Sequence, residues 1–463
     1  MSSILWTAEA AAKATGGTVT TAWRASGVSI DSRSLAPGDL FVALRGERHD
    51  GHAFVADALA RGAAAAMVER RPEGLAADAP LLLVRDTLEG LWALGRAGRA
   101  RSAAGVVAVT GSVGKTGTKE ALRHVLDRQG GCHVSAASHN NHWGVPLTLA
   151  RLPERVPWAV VEIGMNHAGE IRALVPLARP RVAVITAIAP AHIGNFADGI
   201  EGIARAKAEI LEGLEPEGVA ILPADSPQLP ILLDAAQRVG VRRIVTFGEA
   251  PGADWRLIDA RLFPDKSELE VERAGHRLRL GLGAPGAHWA TNALAVLAAV
   301  EALGADVARA AADLDSFAVP AGRGRQRWIP VPGGTVLLLD ESYNANPASM
   351  KAAIALLGLQ PGRRIAVLGD MLELGADAPA LHAALAEPLR AAGVARVFTC
   401  GPSMARLAEA LPAELSGAHA EDSAALAPRV VEALRPGDVV LVKGSLGSRM
   451  ARIVEALERA GAG

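Results

Sequence analysis

A glycine-rich segment at the end of an apolar run constrains the fold of this chain more than any other feature. Residues 105–111 read GVVAVTG, and residues 110–120 read TGSVGKTGTKE. An apolar run that leads through a glycine turn into a helix is typical of a buried parallel strand followed by a phosphate-binding loop. We therefore expect an α/β core around a parallel sheet, with a helix that begins near Lys115.

The loop has a shortened form of the phosphate-binding pattern G-x-x-x-x-G-K-[ST]. Val109 stands where the first glycine of that pattern would be. Backbone N–H groups at a helix start attract phosphate oxygens, a lysine adds positive charge, and a threonine hydroxyl can bind Mg²⁺. We interpret the segment as the cradle for the phosphates of ATP, with a glycine turn beside an incidental lysine as the alternative. The predicted cradle consists of Gly111, Ser112, Val113, Gly114, Lys115 and Thr116.

The composition and charge of the chain limit its partners. Among 463 residues, 48 basic and 49 acidic side chains give a net charge of -1. This balance gives no electrostatic footprint for nucleic acid or an anionic membrane, so we expect small-molecule partners and no nucleic acid.

The cysteines, Cys132 and Cys400, fit a reducing compartment rather than a disulfide framework. No signal-peptide pattern or membrane-length apolar stretch occurs, and we expect a cytoplasmic monomer without membrane insertion.

Strand-like and helix-like segments fall into three blocks. The runs DLFVALRG (39–46) and PLLLVRD (80–86) flank a predicted helix over 52–61 and indicate a small α/β domain. The second block holds the glycine loop and two more unbroken apolar runs, WAVVEIG (158–164) and VAVITAI (182–188), which are typical of a parallel sheet. In the last block, TVLLLD, RIAVLGD, ARVFTCG and DVVLVKG alternate with helix-length segments and predict a Rossmann-like domain. The predicted domains are 1–86, 87–319 and 320–463.

Two residues that follow the apolar runs are candidate partners of the loop. Glu162 stands at the carboxyl end of its run, where parallel sheets place ligands, and a charge inside an apolar run is costly unless it is used. We interpret it as a Mg²⁺ ligand, with a structural salt bridge as the alternative. His192 follows the next run, and a lone histidine is more often structural than functional.

Lys207 occupies an unusual position in the segment GIEGIARAKAEIL. At helical spacing it falls inside an apolar stripe. Such a lysine usually extends its amine to solvent. The competing interpretation is a buried amine that loses its proton readily and can then be modified. The stripe consists of Ile200, Ile203, Ile210 and Leu211.

Seven motifs, in order along the chain, resemble those of the ATP-dependent Mur ligases of peptidoglycan synthesis. They are SHNNHWGVPLTLARLP, EIGMNHAGEI, AHIGNF, AKAEIL, DESYNANPASM, GDMLELG and LVKGS. Within that family they most resemble the members that join D-alanyl-D-alanine (D-Ala-D-Ala) to UDP-N-acetylmuramoyl-tripeptide (UDP-MurNAc-tripeptide). The resemblance covers all three blocks. It implies a ligase that uses ATP and Mg²⁺ and has these two molecules as substrates.

The resemblance also implies roles for individual residues. It implies that Lys207 is carbamylated, which turns its amine into a carboxylate-like Mg²⁺ ligand, and that Glu162 and His192 complete the coordination. Nucleotide contacts are implied at His288, Asn292, Asp340 and Arg323, with Arg325 as the alternative to Arg323 because GRGR permits two alignments. Substrate contacts are implied at Ser32, Arg33, Asn140, Asn141, Tyr343, Asn344, Asn346 and Lys443.

Formation of an amide from a carboxylate and an amine requires a leaving group on the carboxylate. The implied reaction creates it by phosphoryl transfer from ATP, with Lys115 and Mg²⁺ offsetting the charge of the moving group. Three alternatives remain: another amino-acid ligase of the same superfamily, a P-loop ATPase in which Asp340 binds Mg²⁺ and Glu341 activates water, and a non-catalytic nucleotide-gated sensor. The ATPase interpretation leaves Glu162 and Lys207 without a role.

Overall fold

The structure of the chain is a computed structural model that describes residues 4–46, 49–136, 138–191, 193–331 and 333–461. Strands and helices alternate along these ranges, and each of the three blocks has a sheet with parallel strands. Within the described ranges, no helix combines the length and the apolar character needed to cross a membrane.

The first block is a small α/β unit. Its elements are β1 (Trp6–Thr7), α1 (Ala8–Thr15), β2 (Thr18–Val19), β3 (Arg24–Ala25), β4 (Gly27–Ser29), β5 (Asp39–Val42), α2 (Val55–Ala60), β6 (Ala65–Val68) and β7 (Leu81–Leu83). The strands follow the order β2-β7-β6-β5-β4, in which β2 is antiparallel and the others pair in parallel. The predicted helix over 52–61 is present as a 3-10 turn at Gly51–Phe54 followed by α2.

The second block carries the largest sheet. Its elements are α3 (Thr87–Arg101), β8 (Gly105–Thr110), α4 (Lys115–Asp127), β9 (Cys132–Val134), α5 (Gly144–Ala150), β10 (Trp158–Glu162), α6 (Glu170–Ala178), β11 (Val182–Ile185), α7 (Gly199–Ala208), β12 (Val219–Pro223), α8 (Leu229–Arg238), β13 (Arg243–Gly248), β14 (Trp255–Leu262), β15 (Ser267–Arg273), β16 (His276–Leu282), α9 (Ala287–Leu303) and α10 (Val307–Asp313). The strand order is β16-β15-β14-β13-β12-β11-β8-β10-β9. Strand β8 therefore lies inside the sheet, paired in parallel with β10 and β11.

Both faces of β8 are buried, which explains its unbroken apolar sequence. Val107 and Val109 belong to the apolar cluster that includes residues of α4 and α9. Val106 and Ala108 belong to a second cluster, with residues of α5 and α6. Helices on both faces of a parallel sheet select this type of strand. The sequence prediction of a parallel α/β core is confirmed.

Strands β14 to β16 extend the sheet in the antiparallel direction. Their sequences, WRLIDARL, SELEVER and HRLRLGL, alternate apolar with charged residues. Trp255, Val271 and Leu282 face the core, while the alternate residues face solvent, as is usual for antiparallel strands. These strands were not predicted, because the expected strands of this block were unbroken apolar runs.

The third block has the predicted Rossmann-like alternation. Its elements are β17 (Arg325–Val331), β18 (Gly334–Glu341), α11 (Pro347–Gly358), β19 (Arg364–Gly369), α12 (Ala378–Ala383), α13 (Ala386–Ala391), β20 (Arg396–Cys400), α14 (Ala405–Ala410), β21 (Ser416–Ala420), α15 (Ser423–Ala433), β22 (Val439–Lys443) and α16 (Ala451–Gly461). The strand order is β17-β18-β22-β19-β20-β21, and β17 pairs with β18 in the antiparallel direction. The four predicted runs form β18, β19, β20 and β22.

Helix α3 joins the first block to the second. Its Leu91 and Leu94 pack into the apolar core of the first block. On its other side, a Cβ added to Gly98 would lie 2.1 Å from the carbonyl oxygen of Leu149 in α5. A glycine is therefore required for the close approach of the two helices.

Candidate active site

The glycine loop lies at the carboxyl end of β8 and leads directly into α4, which begins at Lys115. Gly111 and Gly114 have φ angles of +151° and +88°, a range that favours glycine. A Cβ would lie 2.0 Å from Oγ1 of Thr186 at the first position and 2.8 Å from Oδ1 of Asn292 at the second. Only glycine fits at either place. The start of α4, where N–H groups lack helical partners, therefore stays open to a ligand.

Hydrogen bonds to the segment after β11 hold the loop in place. The Ser112 hydroxyl donates to the carbonyl of Ala189 at 2.8 Å and accepts from its N–H at 3.0 Å. The Thr186 hydroxyl donates to the carbonyl of Val113 at 2.5 Å. The loop is thus a preformed cradle of the shape that phosphate requires.

Lys115 folds back over the loop. Its Nζ donates to the carbonyl of Gly111 at 2.6 Å. Burial lowers the pKa of Lys115, while the Glu162 carboxylate opposes this shift and the Arg323 guanidinium adds to it. Anionic phosphate oxygens beside the amine would favour its charged form.

Glu162 is a buried carboxylate at the end of β10, with 1% of its surface exposed. Its Oε2 accepts from the Thr116 hydroxyl at 2.8 Å, and its Oε1 accepts from Nδ2 of Asn140 at 2.8 Å. Hydroxyl and carboxylate oxygens are ligands that Mg²⁺ prefers. Over the described ranges, no group of three or more His, Cys, Asp or Glu side chains is arranged to hold a metal ion. Thr116 and Glu162 would therefore share Mg²⁺ with phosphate oxygens and water, which is common for this ion.

The remaining predicted metal ligands are His192 and Lys207. His192 lies outside the described residues. Lys207 lies on α7 with 2% of its surface exposed. Burial, and secondarily the charge of Lys115, lower the pKa of Lys207 well below its usual value. The side chain is therefore buried near Lys115, and its carbamylation stays a prediction.

Helix α9 forms a second wall beside the cradle. Asn292, 8% exposed, contacts the loop at Gly114. Burial lowers the pKa of His288, the Glu341 carboxylate opposes this effect and Lys443 adds to it. His288 therefore presents a neutral imidazole at neutral pH, which can donate or accept a hydrogen bond.

Arg323 links the third block to the second. Its Nη2 donates to the hydroxyl of Ser138 at 3.0 Å. Its guanidinium carbon lies 4.4 Å from the centre of the Tyr343 ring, in cation–π contact. Arg325 is exposed on β17 and pairs in register with Asp340. Of the two alternatives, the structure brings Arg323 into the cleft.

The third block contributes a buried ion pair to the opposite wall. Nζ of Lys443, 2% exposed, donates to Oε2 of Glu341 at 3.0 Å and to the carbonyl of Asn344 at 2.9 Å. Asn346 begins α11 and accepts from the N–H of Ser349 at 2.9 Å. These contacts fix the ends of β18 and β22 side by side.

All of these walls face one cleft of about 540 Å³ between the second and third blocks. A cleft at the carboxyl ends of parallel strands is the usual place for a ligand in an α/β protein. The predicted residues that line it are Ser112, Val113, Gly114, Lys115, Thr116, Asn140, Glu162, His288, Asn292, Arg323, Tyr343, Asn344, Asn346 and Lys443.

Asp340 lies on β18 beside Glu341. Its Oδ1 accepts from the Ser342 hydroxyl at 2.7 Å, and its Oδ2 lies 3.7 Å from Nη2 of Arg327. Consecutive strand residues point to opposite faces, so Glu341 and not Asp340 lines the cleft. The nucleotide contact at Asp340 stays a prediction, and Glu341 is a cleft residue for which no nucleotide contact was predicted.

Other predicted residues lie outside the cleft lining. Oδ1 of Asn141 accepts from the N–H of Gly144 at 3.0 Å and caps the start of α5. Ser32 and Arg33 lie in the first block. There Nη2 of Arg33 forms an ion pair with Oδ2 of Asp31 at 2.7 Å. Gly111 lies under the loop, where its carbonyl binds Lys115.

Several cleft residues were not predicted. Ser138 and Asn166 stand inside two of the quoted motifs, which was a usable signal. The apolar members carry no chemical signal in a sequence, since most such residues only fill a core. The residues that sequence reasoning missed include Ser138, Met165, Asn166, Trp289, Ala348, Ser349, Ala352 and Leu446.

Family models match three segments of the chain. Residues 24–99 match the Mur ligase family catalytic domain, residues 109–300 the Mur ligase middle domain, and residues 324–446 the Mur ligase glutamate ligase domain. The segments together include the cradle, the first part of helix α9 and most of the residues that line the cleft.

Curated relatives and solved structures are similar over nearly the whole chain. The UDP-N-acetylmuramoyl-tripeptide--D-alanyl-D-alanine ligase of Escherichia coli (strain K12) is 38% identical over 439 residues, 94% of each chain. MurF from Acinetobacter baumannii is similar in structure, with a TM-score of 0.84, 32% identity and coverage of 98% of this chain and 99% of that chain. MurF ligase from Thermotoga maritima in complex with ADP gives a TM-score of 0.77 at 28% identity, covering 94% of this chain and 98% of that chain.

Proposed function

The chain belongs to the Mur ligase family, and from this membership we propose that it is an ATP-dependent ligase that joins D-Ala-D-Ala to UDP-MurNAc-tripeptide. The products are UDP-MurNAc-pentapeptide, ADP and phosphate. The single observation that carries the proposal is the cleft in which the phosphate cradle faces the polar wall of the third block. A relative with this activity in its name is 38% identical over 94% of the chain.

In the proposed reaction the cradle binds the β- and γ-phosphates of ATP. The tripeptide carboxylate attacks the γ-phosphorus, the bond to the bridging oxygen breaks, and an acyl phosphate and ADP form. Lys115 offsets the charge of the moving phosphoryl group. Mg²⁺, held by Thr116 and Glu162, would supply further charge neutralisation.

The amine of D-Ala-D-Ala then attacks the carbonyl carbon of the acyl phosphate. The tetrahedral intermediate collapses, the carbon–oxygen bond to phosphate breaks, and the amine loses a proton. Because water competes with the amine for the acyl phosphate, the third block must stay closed over the second block during this step, and the hydrogen bond from Arg323 to Ser138 supports that closure.

We propose that the three domains divide this work at 1–86, 87–319 and 320–463. The first, with Ser32 and Arg33, would bind the uridine nucleotide, the second binds ATP, and the third closes the cleft and receives the dipeptide. The separate sheets of the three blocks support this division. We also propose a cytoplasmic monomer that binds no nucleic acid, in keeping with a net charge of -1.

The carbamate on Lys207 is a separate part of the proposal. Addition of CO₂ to the neutral amine, with loss of a proton, would give oxygen ligands of the kind that Mg²⁺ prefers. Its support is the burial of the Lys207 side chain near Lys115. We expect Lys207→Ala to lose most activity and to regain part of it with a short carboxylic acid, whereas Lys207→Arg regains none because it keeps the wrong charge. Wild-type activity of Lys207→Ala would contradict the carbamate.

The test of the main proposal is product mass after incubation of the purified chain with ATP, Mg²⁺, D-Ala-D-Ala and UDP-MurNAc-tripeptide. Lys115→Ala is the control, and we expect kcat to fall on the order of 10²-fold or more. Phosphate release without the dipeptide would indicate an ATPase. Use of a different amine would indicate another ligase of the superfamily, and binding without turnover would indicate a sensor.

A further inference from the structure

The start of helix α9 and the cradle fit together at two matched positions. Trp289 and Asn292 are three residues apart on α9 and share one face of that helix. Gly114 and Gly117 are also three residues apart, at the start of α4. Trp289 lies against Gly117, and Asn292 lies against Gly114. The two helix starts are therefore in register with each other.

The fit at Gly117 leaves no room for a side chain. A Cβ added there would lie 2.8 Å from Cη2 and 2.9 Å from Cζ3 of Trp289. Carbon atoms make favourable contact at about 3.5–4.0 Å, so an alanine at this position must displace the indole ring.

The indole ring has little space into which it could move. Trp289 is 4% exposed and belongs to the buried cluster that includes Leu122 of α4. The centre of the indole ring lies 5.3 Å from the centre of the Phe317 ring and 5.7 Å from the centre of the His288 ring. A shift of the ring would therefore move α9 or α4.

We propose that Trp289, seated on Gly117, is a positioning residue for ATP. It sets the distance between helix α9, which carries His288 and Asn292, and the phosphate cradle. A nucleotide has to contact both walls at once, so a changed distance weakens every contact that depends on their register. The inference rests on the proposed function only in taking ATP as the ligand.

The expected sign of one substitution separates this role from ordinary packing. Within a helix, alanine in place of glycine stabilises the folded state when space permits, because it reduces the freedom of the unfolded chain. If Trp289 fixes the cradle, Gly117→Ala instead weakens ATP binding. The substitution changes no group that donates to, accepts from or carries charge near the nucleotide.

The experiment is a double-mutant cycle on the full chain with Gly117→Ala, Trp289→Phe and both together. Calorimetry gives the Kd of a non-hydrolysable ATP analogue, and steady-state kinetics give the KM values of ATP and D-Ala-D-Ala. We expect Gly117→Ala to raise the Kd of the analogue about tenfold, which is about 1.4 kcal/mol. The KM of D-Ala-D-Ala should change less than about twofold. Because phenylalanine lacks the outer ring of indole, the double variant should regain most of the affinity.

Arg123→Ala, an exposed change on the same helix, is the control and should leave the Kd unchanged. An unchanged Kd in Gly117→Ala would overturn the proposed role of the contact between Trp289 and Gly117. The same would follow if the loss of affinity in the double variant equalled the sum of the losses in the two single variants. If Gly117→Ala fails to fold, recovery of folding in the double variant supports the proposed fit of Trp289 on Gly117, and continued failure refutes it. Absence of analogue binding by the wild-type chain would instead refute the proposed function.

Discussion

The first and third blocks are attached to the second block in different ways. At the first junction, Nε1 of Trp6 donates to the carbonyl of Ala150 at 2.9 Å inside the core. The guanidinium carbon of Arg101 lies 4.1 Å from the centre of the Trp6 ring. The same guanidinium donates to the carbonyl of Leu5 at 2.6 Å and to that of Leu152 at 3.2 Å. One apolar cluster contains residues of both blocks. This junction is built like the interior of a single domain.

The second junction depends on a few polar and backbone contacts. Besides Arg323, the side-chain amides of Gln326 and Gln360 both donate to the carbonyl of Pro264, in the turn between β14 and β15. Gly194 approaches Gly375, where a Cβ on the former would lie 3.6 Å from Cα of the latter. In the part of the chain that the structure describes, no buried apolar cluster combines residues of these two blocks.

The difference shows where the molecule can move. Separation of the first block would expose a hydrophobic core, which costs tens of calories per mole for each square ångström. Separation of the third block would cost a few hydrogen bonds that water can replace. We therefore expect the first two blocks to move as one body and the third to act as the mobile part, which opens for substrates and closes for chemistry.

The largest expected effect is the loss of the first junction. Trp6, 3% exposed, packs in the shared cluster, so Trp6→Ala should lower the free energy of unfolding by about 3–5 kcal/mol. Trp328→Ala is the matched control, because this tryptophan is 66% exposed in the third block and should change stability by less than about 0.5 kcal/mol. Urea denaturation measures both. Equal losses in the two variants would mean that the first junction is no stronger than a surface contact.

The second effect concerns catalysis rather than stability. Arg323→Ala removes a charge-assisted hydrogen bond to Ser138 across the mobile junction and a ring contact with Tyr343 inside the third block. We expect the two losses together to raise the activation barrier by about 2 kcal/mol. The melting temperature should stay within about 2 °C, because no buried core is opened. Arg325→Ala, two residues away and exposed, is the control for kcat/KM. If the Arg325 variant lost the activity and the Arg323 variant kept it, the alternative alignment would be correct.

The third effect is a change in the open–closed equilibrium. Gln360 is 1% exposed, its Nε2 donates to the carbonyl of Pro264 at 2.8 Å, and its Oε1 has no partner. Gln360→Met with Gln326→Met leaves this carbonyl without side-chain donors and should favour the open form by about 1 kcal/mol. Small-angle scattering should then show a larger radius of gyration without ligands, and compaction when an ATP analogue and UDP-MurNAc-tripeptide bind. A radius unchanged by both the substitutions and the ligands would show that the junction does not open.

The same contrast explains what could be predicted from the sequence. The parallel strands of the second and third blocks were predictable, because burial on both faces leaves an unbroken apolar run such as β8. Strands β14 to β16 were missed because only one of their faces is buried. The junctions were not predictable, since Trp6 and Arg101 meet through the fold from distant parts of the sequence.

The candidate site shows the same limit at the level of single residues. The cradle was predictable because Gly111, Gly114 and Lys115 are contiguous with a strand and a helix. The placement of Glu341 in the cleft lining was not, because a shift of one residue moves a side chain to the other face of a sheet. The register of β18 against β22, which pairs Glu341 with Lys443, decides it.

The smallest expected effect lies within the first block, away from both junctions. Hydrogen bonds from the guanidinium and backbone N–H of Arg33 lower the pKa of Asp31 from 3.8 to about 2. The folded state therefore releases this proton more readily than the unfolded state, so the pair stabilises the fold above pH 3.8 and loses this effect as the pH falls towards 2.

Because both side chains are exposed, we expect Asp31→Asn to cost only a few tenths of a kcal/mol near pH 6, and less in high salt. Urea denaturation at several pH values should show the two proteins converging between about pH 4 and pH 2. Arg33→Gln removes the guanidinium bonds but keeps the backbone N–H bond to Asp31, so it should produce part of this loss, and the double variant should lose no more than Asp31→Asn alone. A difference that persists unchanged at low pH, or that grows there, would mean that Asp31 acts through its turn geometry rather than through its charge.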